Sequence, residues 1–305
     1  MDNPTLFSAF TLTCSGRAVT FRRPAIMGIL NATDDSFYDG GRYTTAEAVV
    51  RQASHLLAQG ADIIDLGVVS SRPGATLLSP DEEAARLVPL VRRLRQELPS
   101  GTPISVDTCF SLPATRAVEA GADIINDISG GQFDKQMFST IATLGVPYIL
   151  MHTRGTPDTM QLPENTHYDD IVLDLTHYFS DKLEQLYRLG VKEVCLDPGF
   201  GFAKTCDQNH ELLHRLSELI QAFPQHPHLV ALSNKSMITK RLATHPLPAD
   251  THLPLPDSEF GTLVLNTMAL QAGASMLRVH TPRPSRLAIT LLYNENHTDN
   301  TNTRL

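Results

Sequence analysis

The chain has no tryptophan, and aromatic residues make up only 6% of its 305 positions. A core must therefore be built mainly from aliphatic side chains. The hydrophobic share of 42% supplies them in the amount usual for a globular α/β protein. Cysteine is scarce: Cys14, Cys109, Cys195 and Cys206 lie far apart and form no Cys-x-x-Cys pair. That argues against a disulfide framework and predicts free thiols in a reducing compartment. No apolar run reaches the ~18 residues of a membrane span. The first ten residues, MDNPTLFSAF, lack the basic-then-apolar pattern of a secretory leader. The expectation is a cytoplasmic protein with no membrane partner. Positive charge is in deficit, 25 Lys and Arg against 33 Asp and Glu, for a net charge of -8. Non-specific nucleic-acid binding needs Lys/Arg stripes and is argued against. A small anion held in a locally positive pocket is not.

What the chain does have is a repeated pattern. A short apolar run ends on a polar residue, and a stretch with helical spacing follows. The endings read Leu30-Asn31, Ile64-Asp65, Val106-Asp107, Ile125-Asn126-Asp127, Met151-His152, Leu196-Asp197, Ser233-Asn234-Lys235-Ser236 and Arg278-Val279-His280. Buried parallel strands read as near-continuous apolar runs, and helices of ten or more residues between them serve as crossovers. Eight such units close a (β/α)8 TIM barrel, which takes ~250 residues. The expected strands are 25–33, 61–69, 104–108, 123–128, 146–152, 193–197, 228–233 and 275–280. Residues 9–21 read as a hairpin turning at Cys14-Ser15-Gly16, placed at the bottom of the barrel. The division is then 1–24 as an N-terminal extension, 25–293 as the barrel, and 294–305 as a polar, disordered tail. No dinucleotide fingerprint follows the first strand, and Gly199-Phe200-Gly201-Phe202 lacks the third glycine.

Polar strand ends gather at one face of such a barrel. Asp65, Asp107, Asp127 and Asp197, with Asn126, form an acidic and amide ring that suits the N–H groups of a nitrogen-rich heterocycle. Each alone could equally be a loop cap. A metal is the other use of such a ring, but the histidines usual in transition-metal sites are not arrayed with it. The basic groups point to an anion. Ser70-Ser71-Arg72-Pro73-Gly74 follows the second strand, Lys235-Ser236 the seventh, and Arg278 and His280 share one face of the eighth. Arg supplies a planar fork, Lys a point charge, and a helix start free N–H groups. Asn31, with the loop Asp34-Asp35-Ser36-Phe37, offers oxygen ligands suited to Mg²⁺.

With these segments in view the chain resembles the dihydropteroate synthases, the pterin-binding barrel family. The resemblance rests on Ile26 to Asn31 with Asp35-Ser36-Phe37 and Asp39-Gly40-Gly41, on Ser70 to Ala75, Ser105 to Thr108 and Ala122 to Gly130. Leu150-Met151-His152 with Arg154 to Pro157, Leu196 to Phe202, Lys235-Ser236 and Leu277 to His280 complete it. These run through nearly the whole chain in order. The resemblance implies a folate-pathway transferase and sulfonamide target. It would condense a dihydropterin pyrophosphate with 4-aminobenzoate, releasing pyrophosphate. It implies that Asp107, Asn126, Asp197 and Lys235 bind the pterin, with Met151 and Phe202 near its faces. Arg278, His280 and Asn31, the last through Mg²⁺, would hold the pyrophosphate. Ser71, Arg72 and Ser236 would meet the aminobenzoate region. Asp107, Lys235, Arg278 and His280 are the expected catalytic set. It also implies a homodimer, for which Leu263, Leu265, Met268 and Leu270 are candidate face residues; ordinary packing on the barrel is the competing use.

The chain departs from the family pattern at Asp34, where proline is usual, at Val68-Val69, at Asn234, where arginine is common, and at Thr281. A pterin-dependent methyltransferase and a non-catalytic pterin-binding paralogue remain alternatives. The Lys235, Arg278 and His280 cluster argues against the first. No role follows from the sequence for His152.

Overall fold

The structure, a computed structural model, describes residues 7–32, 45–69, 78–244 and 257–293. The loop 34–41, Ser70 to Leu77 with Ser71 and Arg72, the proline-rich loop 245–256 and the tail 294–305 lie outside the described residues.

Strands β1 (Phe10–Cys14) and β2 (Arg17–Phe21) pair antiparallel through a tight turn. Ser15 and Gly16 both take positive φ, 51° and 72°, as a two-residue hairpin turn requires. The next eight strands are all parallel: β3 (Ala25–Asn31), β4 (Ile63–Gly67), β5 (Ile104–Asp107), β6 (Ile124–Asp127), β7 (Tyr148–Met151), β8 (Val194–Asp197), β9 (Leu229–Val230) and β10 (Met276–Val279). They are ordered β8-β7-β6-β5-β4-β3-β10-β9. A bridge between Leu196 and His228, with Leu196 N–H donating to Pro227 O at 2.9 Å, joins the two ends and closes the barrel. The expected (β/α)8 barrel is the fold.

The helices are α1 (Thr45–Ala58), α2 (Pro80–Glu97), α3 (Ser111–Ala120), α4 (Met137–Leu144), α5 (Ile171–Arg188), α6 (Cys206–His214), α7 (Leu216–Ala222), α8 (Ser236–Thr244), α9 (Asp257–Gln271) and α10 (Pro282–Leu292). Local signals set several ends. Ser79 caps α2 in a reciprocal capping box with Glu82, and Asp170 caps α5 by accepting from Val172 and Leu173 N–H. Two expectations shift. The helical stretch expected after the sixth strand, beginning near Asp207 and ending before Pro224, breaks at Arg215 into α6 and α7, and the Arg215 side chain ties Asp170, Glu211 and Glu218 together. The seventh strand is only two residues long, and Pro227 before it brings no ladder donor.

The strand period of two divides the core. Ala25, Met27, Ile63, Ile124, Ile149, Cys195, Leu229 and Met276 pack inside the barrel with Leu12, Cys14, Val19 and Phe21 of the hairpin. The hairpin therefore seals the N-terminal end, as expected. The alternate residues, such as Ile26, Ile64, Ile125 and Leu196, pack outward beneath the helices. Leu265 and Leu270 of α9 also belong to this outer core, so these two candidate dimer residues face the barrel instead. All four cysteines are free. Among the described residues no helix is long and apolar enough to cross a membrane.

Candidate active site

On β4, β6, β8 and β10, moving two residues on from the inward apolar layer (Ile63, Ile124, Cys195 and Met276) reaches Asp65, Asn126, Asp197 and Arg278. Register then decides which of these ends are neighbours. Asp107 pairs laterally with Asn126, and Met151 with Asp197. A cavity at the C-terminal end of the strands is lined by Asn126, Met151, Asp197, Phe202, Lys235 and Arg278, among others. A larger cavity, about 190 Å³, lies at the other end under the hairpin, beside Cys14, Arg17, Arg95 and Asp123. There Arg95 is occupied by Asp123, Gly121 O and Thr102 O, so that end reads as a structural clamp.

Arg278 spans the floor of the site. Its Nε donates to Asp65 Oδ2 at 2.6 Å and its Nη2 to Asp107 Oδ2 at 3.0 Å. Asn126 Nδ2 donates to the same Asp65 oxygen at 3.1 Å. One guanidinium thus serves two carboxylates. Burial pushes the Asp107 carboxyl up from its ordinary range; Arg278 opposes this, and Asp65 adds to it. Asn126 Oδ1 and Asp65 Oδ1 are buried and have no hydrogen-bond partner among the described residues. Such acceptors are costly unless something fills them.

Asp197 is held on the other side of the cavity. Its Oδ1 accepts from Gly199 N–H at 2.8 Å. Burial raises its pKa, while that hydrogen bond and then the charges of Lys235, Arg278 and Lys204 lower it. Lys235 Nζ stands 4.4 Å from the Phe202 ring centroid. Burial depresses its ammonium to about 8, against the pull of Asp197 and Asp107. The cavity therefore combines acceptors for N–H groups with two cations.

The rim carries the remaining residues. His280 is exposed at the end of β10, and Ser233 Oγ accepts from its backbone N–H at 3.2 Å and lies 3.0 Å from its Nδ1. Asn31 is exposed at the end of β3, and its Oδ1 and the Asp107 side chain both approach Gly67. Ser236 is exposed and starts α8. Asn234 is exposed and left-handed, φ 55°, with its N–H bonded to Thr262 Oγ1 at 3.0 Å. Among the described residues no group of three His, Cys, Asp or Glu could hold a metal. A lone amide oxygen at Asn31 still suits Mg²⁺, which keeps most of its waters and takes few protein ligands.

One member of the expected acidic ring does not belong to it. Asp127 follows inward-facing Asn126 and so faces the helices. Its oxygens accept from Ser129 N–H and Oγ, Gly131 N–H and Tyr148 Oη, leaving nothing for a ligand. Conversely, the sequence reading missed Lys204 and Asn209. Asn209 is buried, and its Oδ1 accepts from Gly201 N–H at 2.7 Å. Lys204 is buried under the same turn. The signal that could have found them is a lysine and an asparagine standing just after a glycine-rich strand end.

The pterin binding enzyme family matches residues 27–280. The dihydropteroate synthase of Synechocystis sp. is 41% identical over 262 residues, covering 85% of this chain and 86% of that protein. The mitochondrial folate synthesis bifunctional protein of Pisum sativum is 35% identical over 281 residues, and the match covers 88% of this chain and 53% of that longer protein. Among solved structures, the Xanthomonas albilineans dihydropteroate synthase with 4-aminobenzoic acid superposes with a TM-score of 0.80 at 35% identity, over 93% of this chain and 97% of that one. The barrel, the polar cavity at its C-terminal end and this similarity throughout place the chain in the dihydropteroate synthase family of pterin-binding enzymes.

Proposed function

We propose that this chain condenses 6-hydroxymethyl-7,8-dihydropterin pyrophosphate with 4-aminobenzoate to give 7,8-dihydropteroate and pyrophosphate. The observation that carries this reading is the pairing, in one cavity, of buried acceptors at Asn126 and Asp197 with the cations Lys235 and Arg278, and with half-buried Asp107 bonded to Arg278 beside them. A pterin presents ring N–H and amino donors to carboxylates and amides. Met151 and Phe202 offer apolar contact to its faces. Arg278 on β10 and His280 just after it stand two apart, on the side where a pyrophosphate would be held.

The reaction breaks the bond between the pterin methylene carbon and the pyrophosphate oxygen, and the electron pair leaves with pyrophosphate. Arg278 and His280 stabilise that growing negative charge. The carboxylates of Asp107 and Asp197 stabilise positive charge on the pterin methylene. The aniline nitrogen then attacks the carbon with its lone pair, and the acidic proton of the resulting ammonium passes to water, so no strong base is needed. Asn31 would hold Mg²⁺, which when bound neutralises part of the pyrophosphate charge. Ser71, Arg72 and Ser236 are assigned to the aminobenzoate side. The protein is further proposed to be cytoplasmic, with no nucleic-acid or membrane partner. It is proposed to be a homodimer, and Leu287 and Leu291, 55% and 84% exposed on α10, offer apolar surface for a second copy.

The test is pyrophosphate release with both substrates and Mg²⁺ supplied, measured for the parent and for Arg278→Ala. Release that needs both substrates and falls in the variant supports the reading. Tight pterin binding with no release would replace it with a non-catalytic pterin-binding role.

A further inference from the structure

Beneath the cavity, the buried side chain of Lys204 meets three acceptors. Its Nζ lies 2.9 Å from His152 Nδ1, 3.1 Å from Gly199 O and 3.2 Å from Phe202 O. An ammonium has three N–H donors and no acceptor, so the count is complete only when Lys204 is charged and His152 Nδ1 carries a lone pair. The two carbonyls bracket the turn that also supplies Gly199 N–H to Asp197. The turn rests directly on His152: a Cβ at Gly199 would stand 2.0 Å from His152 O.

We propose that Lys204 is a positioning residue for the pterin half-site, holding the Gly199–Phe202 turn from below with His152 as its acceptor, and adding its charge to those of Lys235 and Arg278 around Asp197. This rests on the assignment of Asp197 to the pterin. As a carboxylate Asp197 can accept from Gly199 N–H and from pterin N–H groups together, whereas a proton would turn one of its oxygens into a donor; a buried carboxylate needs nearby cations. Lys204 never touches the ligand; it acts through Asp197 and Phe202.

Burial pushes Lys204 down to about 7, and Asp197 pulls it back up; Arg154 and Lys235 add to the depression. Burial, followed by the charges of Lys204 and Arg154, holds His152 well below its ordinary range, which keeps it neutral. Tyr178 and Tyr168 pack on His152. Tyr168 Oη donates to Ala203 O at 2.8 Å, which fixes the far side of the turn. Asp197 is also faced by Lys235 and Arg278, which remain when Lys204 is changed.

The test uses Lys204→Met and Lys204→Gln, with calorimetric binding of 6-hydroxymethyl-7,8-dihydropterin pyrophosphate and, separately, of inorganic pyrophosphate. Pterin affinity and kcat/KM for the pterin substrate should fall at least about tenfold. Inorganic pyrophosphate affinity and KM for 4-aminobenzoate should stay at parent values. Without the Lys204 charge the Asp197 carboxyl protonates more readily, so the acid limb of pterin binding should move to higher pH in both variants. An unmoved acid limb with parent-like pterin affinity overturns the proposal. If the Lys204 variants do not fold, His152→Asn and His152→Leu decide it. Asn keeps an acceptor for Lys204 and should retain pterin affinity, Leu should lose it, and equal affinities overturn the proposal. Failure of the parent protein to bind the pterin would instead remove the functional reading itself.

Discussion

Asp65 holds Arg278 across 213 residues of sequence, Oδ2 to Nε at 2.6 Å, and the pair sits at the floor of the cavity with Asp65 fully buried. Asp65 lies at the middle of β4 and Arg278 next to the last residue of β10, and the two parallel strands flank β3 in the closed sheet. The pairing fixes the plane of the guanidinium and leaves Nη2 for Asp107. Whatever Arg278 does for a ligand, Asp65 sets its aim.

Arg278→Ala should slow turnover by about two decades or more, the loss of one well-placed donor worth ~3 kcal/mol in a water-poor site. Asp65→Asn should lower kcat/KM for the pterin substrate without touching the ligand, because the fork loses its anchor. Steady-state kinetics of the two single variants and the double variant form a cycle, and the coupling should be about 1–3 kcal/mol. Strict additivity would show that Asp65 does not act through Arg278.

Glu83 gives a pH signature in stability. It is buried on α2, and burial raises its carboxyl from 4.5 to about 7, opposed by a hydrogen bond with Thr108 and reinforced by Asp127. The folded state thus holds the Glu83 proton more tightly than the unfolded state does. Its contribution to stability is full below pH 4.5 and is lost as pH rises through about 7. Glu83→Gln keeps a neutral side chain of the same shape. Urea unfolding should show it more stable than the parent by about 2 kcal/mol on the alkaline side, with the gap closing in acid. A gap that does not change with pH would disprove the burial argument.

Gly199 has no room for a methyl group. Its φ is 69°, and an added Cβ would collide with His152 O at 2.0 Å. Backbone, unlike a flexible side chain, cannot step aside. Gly199→Ala should cost about 2 kcal/mol or more in thermal unfolding and displace the N–H that Asp197 accepts. Retained stability together with retained pterin affinity would contradict the packing.

Asn234 stands where the family commonly has arginine, and its left-handed backbone suits asparagine. Asn234→Gly should leave the melting temperature nearly unchanged, whereas Asn234→Val should lower stability by about 1 kcal/mol or more. Equal melting temperatures for the two would mean that the strain is absorbed elsewhere.

The sequence made the barrel legible because its signal is local and repeated. Apolar runs and helical spacing recur eight times, and the strand ends were placed within a few residues. The inward residues were also within reach of the sequence: Asn126 and Asp127 are neighbours, so only one of them can face the cavity. That parity would have removed Asp127 from the acidic ring. Lys204 and Asn209 were less accessible, because their partners lie in backbone carbonyls and amides, which have no identity in a sequence.

The sequence by itself determined the order of eight strands and helices, the hairpin ahead of them, and the residue types available at the strand ends. Those follow from period-two and period-3.6 patterning, which each segment carries alone. Tertiary structure decided which of those ends meet. Sheet closure through Leu196 and His228, and the register that sets Asp107 beside Asn126 and Met151 beside Asp197, are long-range choices. A one-residue slip in any of them would turn the polar ends toward the helices. Arg278 between Asp65 and Asp107, and Lys204 under Asp197, exist only because that register holds.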